Sequence, residues 1–144
     1  MITVIGILVL LLGVIAWVGQ FLSFFAPSLA TRLGVMEPEG EIDESLRIIE
    51  GKAEGLMDTL LAWTLPASAL LMLLDHPLWP FLAIFGGGVF LYFSGLFSFS
   101  RVFMKAAGRN VGSAASVKAA YLFAGLWAAS SVAMISLAAI QLSS

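Results

Sequence analysis

Four long apolar runs, separated by short polar segments, organise this chain. They cover residues 2–25, 55–74, 79–100 and 119–142, each about the length a helix needs to cross roughly 30 Å of hydrocarbon. None shows the strict alternation of a half-buried strand, and backbone groups in lipid must pair within their own segment, so helices are expected throughout. Pro27 marks the end of the first run, and Pro80 opens the third, where a missing N–H costs nothing. The polar segment 26–54 contains a turn signal, Glu37-Pro38-Glu39-Gly40, followed by Asp43 as an N-cap. From Asp43 the pattern predicts a polar helix that continues into the second run. The fold class is therefore all-α: a polytopic four-transmembrane-helix bundle with a helical extension of the second span, forming a single membrane domain over residues 1–144.

Composition strengthens that picture. Of the 144 residues 60% are hydrophobic and only 11% charged, with a mean hydropathy of +1.03. A soluble domain of this size buries too little of its surface to hide so much apolar area. The first run lacks the basic flank of a signal peptide and is too long for its apolar core, so it reads as a retained helix despite the Ser28-Leu29-Ala30 triplet.

Charge then orients the chain. Arg32, Arg47, Lys52, Arg101, Lys105, Arg109 and Lys118 all fall in segments 26–54 and 101–118, and no basic residue falls on the other side. The positive-inside rule makes both segments cytoplasmic and both termini external, in a plasma (inner) membrane. The two segments differ in sign: 26–54 has a net charge of −4 and 101–118 of +4. They are expected to attract, within one molecule or between copies. A net charge of −2 over the whole chain gives no reason to expect nucleic acid as a partner.

Candidate chemistry concentrates at one end of the second run. On a regular helix Glu50, Glu54 and Asp58 share a face with Arg47, and a full crossing starting at Gly55 places Asp58 a turn inside. An unpaired ionised carboxylate there is costly, which calls for a partner or a cation. Arg101, at the same end of the third run, is the natural partner, and an Asp58–Arg101 or Glu54–Arg101 clamp is the leading expectation. The same acids alternatively form an ion or proton site. Pro66 breaks the second span, freeing a carbonyl near Ala62, with Thr64 and Ser68 at hand to satisfy the backbone.

Small residues mark packing faces, because helices in lipid associate by close approach. Ala83 and Gly87 form one pair, Gly88 and Gly95 another, and the fourth run carries Ala120, Ala124 and Ala128 on one stripe with Gly125, Ala129 and Ala133 on a second. Stripes on more than one face suit a homo-oligomer or another membrane protein as partner, alongside the bilayer itself.

Recognisable catalysis is missing. There are no cysteines, a single histidine, no H-E-x-x-H and no serine triad, so no catalytic residue, metal or cofactor is expected. The leading functional expectation is an assembly or accessory component of the membrane without enzymatic activity of its own. The alternatives are a small cation- or proton-linked transporter or channel, and a protein that binds or modifies lipid headgroups.

Overall fold

The computed structural model describes residues 2–144; Met1 lies outside the described residues. The chain is 81% helical, without strands among the described residues. Its elements are α1 (Ile2–Phe25), α2 (Pro27–Arg32), α3 (Glu44–Ile48), a π-helical turn (Ile49–Glu54), α4 (Gly55–Leu61), α5 (Thr64–Leu73), α6 (Trp79–Ala106) and α7 (Ala114–Ser143). Elements α3 to α5 run on from one another as one rod, Glu44–Leu73. With α1, α6 and α7 this makes four helices among the described residues that are long and apolar enough to cross a membrane.

Local chemistry sets the boundaries. Asp43 caps α3 as anticipated, its carboxylate accepting the Ser45 amide at 2.9 Å. Pro80 sits in the first turn of α6, and Ser113 caps α7 through the Ser116 amide. The rod breaks where Pro66 requires it: α4 stops at Leu61 and α5 resumes at Thr64. The Thr64 hydroxyl bridges the break, donating to the Leu61 carbonyl at 2.6 Å, while Ser68 donates to the Leu65 carbonyl within α5 at 2.7 Å. Two of the rods outrun their sequence limits: α6 continues to Ala106, and α7 begins at Ala114.

The helices pack as a ring, α1 on α4 and α5, α5 on α6, α6 on α7, and α7 back on α1. Small residues dominate the buried seams. An ideal Cβ on Gly86 would lie 2.6 Å from the Leu65 backbone nitrogen, so α6 touches α5 main chain to main chain just past the break. Gly87 admits Ile135 of α7, and Gly13 admits the Pro66 ring. Ala83 and Ala124 are buried, and Ala128 is half-buried. The packing roles expected of Gly88 and Gly95 need correction. Each residue advances the helix by about 100°, so with Gly86 and Gly87 facing α5 and α7, Gly88 turns outward into open space. Gly95 meets nothing closer than Phe99 of its own helix, at 4.0 Å. Gly125, on the second stripe of α7, also faces open space. Large apolar side chains do the reverse: Leu8, Leu11, Phe81, Phe85, Leu122 and Ile140 are all exposed.

At one end, the connections 33–43 and 107–113 are laced together. Asp43 N–H donates to the Asn110 carbonyl and the Asn110 amide donates to the Glu41 carbonyl, both at 2.8 Å. Arg109 reaches Asp43 at 3.4 Å, and Ile42, Leu46 and Val111 form a small core of their own. The attraction between the acidic and basic segments is thus realised within one molecule.

Candidate functional site

Arg101 organises this end. It projects from the last turns of α6, is only 2% exposed, and stacks its guanidinium 4.2 Å from the Phe97 ring centroid. One terminal nitrogen pairs with Glu50 and the other with Glu37, the latter at 3.2 Å. The same Glu37 oxygen accepts the Ser116 hydroxyl at 2.5 Å. Four segments therefore converge on one buried cation: the 33–43 connection, the π-turn, α6 and the start of α7. Removal of one member of such a cluster leaves a buried charge unbalanced, which is costly.

The expected clamp changes partners. Neither Asp58 nor Glu54 pairs with Arg101; Glu50 does, together with Glu37, which the helical-face argument did not include. Glu50 lies in the π-turn Ile49–Glu54, about one and two turns nearer the connections than Glu54 and Asp58, at the end where Glu37 also meets Arg101. Gly51, inside that turn, lets the Met36 side chain come close: a Cβ there would lie 2.9 Å from its terminal methyl. Glu37 had one sequence signal, its place in the acidic segment facing a basic one. Its pairing with Arg101 joins residues 64 positions apart.

Glu54 and Asp58 are held differently. They are 6% and 7% exposed, and both carboxylate oxygens of Glu54 and Oδ2 of Asp58 are buried with no partner among the protein's own groups. Lys52 points away from them, its ammonium 5.7 Å from the Phe24 ring. Pro66 stands two turns further along the same rod. Arg109 takes no part in this cluster; it is 63% exposed and paired with Asp43.

Beside the Arg101 cluster lies a cavity of about 650 Å³. Ile15 and Ala16 of α1, Val35 of the connection, and Phe123 and Trp127 of α7 supply its apolar walls. Its polar lining includes Gln20, Glu37, Glu41, Arg47, Glu50, Arg101 and Ser116. Phe93, Phe97 and Phe123 gather around Trp127 with centroids 5.3–6.4 Å away, which makes the α6–α7 wall aromatic and stiff. The cavity falls within the roughly 300–1,000 Å³ range of small-molecule sites. Comparison with protein-family models, with curated proteins and with solved structures finds no match.

Proposed function

We propose that this chain is an integral protein of the plasma (inner) membrane that carries out cation-linked transport, with Glu54 and Asp58 as the proton- or cation-accepting groups. Membrane residence is supported by the inverted burial pattern, in which glycine, alanine and serine fill the seams while leucine, isoleucine and phenylalanine face outward. Such an apolar exterior is far larger than soluble monomers tolerate. The positive-inside rule gives the orientation: the laced connections in the cytoplasm and both termini outside.

One observation carries the transport reading. Two carboxyl groups one helical turn apart lie buried without a protein partner, beside an arginine whose charge Glu37 and Glu50 already balance. An ionised carboxylate in such a place costs several kcal/mol, a cost that a bound proton or metal cation removes. The break at Ala62–Trp63, one turn beyond Asp58, supplies irregular backbone of the kind that lines transport paths. Reconstituted vesicles carrying an internal pH dye test the reading. A pH or sodium gradient is expected to drive proton flux through the native chain, and Glu54→Gln or Asp58→Asn to abolish it. Equal flux in all three proteins would end the proposal.

A second reading, an accessory subunit that assembles with another membrane protein or with its own copies, is favoured by Gly88 and Gly125. Both present open, small-residue surface to the outside, where another helix can approach closely.

A further inference from the structure

The connection 33–43 forms one wall of the cavity beside Arg101, and a carboxylate latches that wall. Its residues 35–39 form a strap between Gly34 and Gly40, whose φ angles of 72° and 85° lie in the left-handed region that favours glycine. A Cβ at either glycine would meet nothing within 4 Å. The Ala30 carbonyl holds the start of the segment by accepting the Val35 and Met36 amides at 2.9 and 3.3 Å, and two side chains hold it further along. Met36 seats against Gly51, and Glu37 accepts from both Arg101 and Ser116. The Glu37 carboxylate thus fills a cradle of donors that faces a chamber with apolar walls.

We propose that this chamber binds a long-chain carboxylic acid, whose carboxylate replaces that of Glu37 on Arg101 and Ser116 as the 35–39 strap swings away, and whose tail lies along Ile15, Ala16, Phe123 and Trp127. The head group follows from what the cradle already holds: a planar carboxylate receiving a guanidinium and a hydroxyl. Charge agrees. With the strap in place the charged lining is Glu37, Glu41 and Glu50 against Arg47 and Arg101, a net −1. Once the strap carries Glu37 out, Glu41 and Glu50 remain against the two arginines, a net charge of zero. The closed chamber therefore disfavours an anion, and the open one no longer does. Arg47 strengthens the second state, since it has no ion-pair partner among the described residues and its Nε is buried without an acceptor. The tail follows from the walls, which are aliphatic on α1 and aromatic on α7.

This inference goes beyond proton or cation movement and does not depend on it; the acids Glu54 and Asp58 are absent from the chamber lining. Its test accordingly reads binding rather than flux. The full chain is placed in nanodiscs of phosphatidylcholine and titrated with labelled palmitate. Saturable binding is expected, competed by unlabelled palmitate but by neither hexadecyltrimethylammonium nor inorganic phosphate. Glu37→Gln weakens the latch and is expected to tighten palmitate binding roughly tenfold, because the open state no longer has to be taken from a closed majority. Arg47→Gln and Arg101→Gln are expected to weaken it. Should Arg101→Gln fail to fold, Glu37→Gln alone decides: unchanged or weaker binding overturns the proposal. So does equal competition by the cationic amphiphile, which would mark non-specific partitioning, or competition by inorganic phosphate, which would mark a simple anion site. A native chain that binds palmitate but carries no proton flux would remove the transport reading and leave this one standing.

Discussion

Arg101 and Glu50, 51 positions apart in the chain, meet in a buried ion pair that closes one end of the helix ring. Glu50 contributes from the π-turn Ile49–Glu54 and Arg101 from the last turns of α6. Because Arg101 is almost wholly buried, each half of the pair is far more costly alone than together. Arg101→Gln is expected to destabilise the solubilised protein by about 3–5 kcal/mol. Glu50→Gln is expected to cost less, since Glu37 still balances the guanidinium. The double substitution should fall short of the sum of the two by more than about 0.5 kcal/mol, the mark of direct coupling. Chemical unfolding in a single detergent measures all three, and strict additivity would show that the two side chains act separately.

A second prediction separates neighbouring glycines by their direction. Gly86 permits main-chain contact with Leu65, whereas Gly88 faces open space. Gly86→Ala forces α5 and α6 apart and is expected to cost about 1–3 kcal/mol, as overpacking does. Gly88→Ala is expected to gain up to about 1 kcal/mol from helix propensity in an isolated chain. If Gly88→Ala instead destabilises a larger species seen by light scattering, that face is covered by a partner helix, as the accessory reading requires. Melting temperatures of the two variants in parallel give the answer.

These contrasts mark how far the residues themselves carry. The four apolar rods were legible because length and hydropathy are local properties, and so were the Asp43 cap and the Pro66 break, each set by one residue's chemistry. The pairing of Arg101 was only half legible. Its depth and need for an acid followed from position, but the choice of Glu50 over Glu54 and Asp58 depends on how the two rods lie against each other, a tertiary fact. Glu37 was hidden for a related reason: it reaches Arg101 through a connection whose path is set by Gly34, Gly40 and the pairing with Asn110, all tertiary facts. The chamber likewise arises from spacing between helices and has no sequence signature.

The absence of cysteine makes orientation directly measurable. Single cysteines placed at Ser144 and at Ala107 are both exposed on the protein. In intact cells a membrane-impermeant maleimide is expected to label the first and spare the second, with the pattern reversed in inverted vesicles. Labelling of position 107 in intact cells would place the basic connection outside and invert the proposed topology.

The connection core offers a test of the strap's foundation. Leu46 is buried at 1% exposure against Ile42 and Val111, on the short helix that leads into the π-turn. Leu46→Ala removes that packing and is expected to cost about 2–5 kcal/mol locally. Because the affected residues anchor one end of the strap, hydrogen exchange should rise at 35–43 and 109–112 while the amides of α6 stay protected. By contrast Arg109→Ala breaks only an exposed pair with Asp43, and its expected effect is no more than about 1 kcal/mol. A large loss from Arg109→Ala, or uniform exchange through the whole chain on Leu46→Ala, would mean that the connections and the helix ring unfold as one unit.

The last prediction concerns the two acids that no protein group satisfies. A structural clamp built on Asp58 would be weakened by Asp58→Asn. With Arg101 held by Glu37 and Glu50, that substitution removes no ion pair. It replaces a group whose charged form is penalised by burial with one that carries no charge. Asp58→Asn and Glu54→Gln are therefore expected to leave stability within about 1 kcal/mol of the native chain, or to raise it. Removing a buried carboxyl while keeping its shape should also flatten the dependence of stability on pH, because a group able to bind a proton in the folded chain has gone. Unfolding midpoints of the native chain and both variants, compared across a pH series, measure this. A loss above about 2 kcal/mol at every pH would mean that these carboxylates hold helices together after all. Unchanged stability combined with lost proton flux would assign them to transport alone.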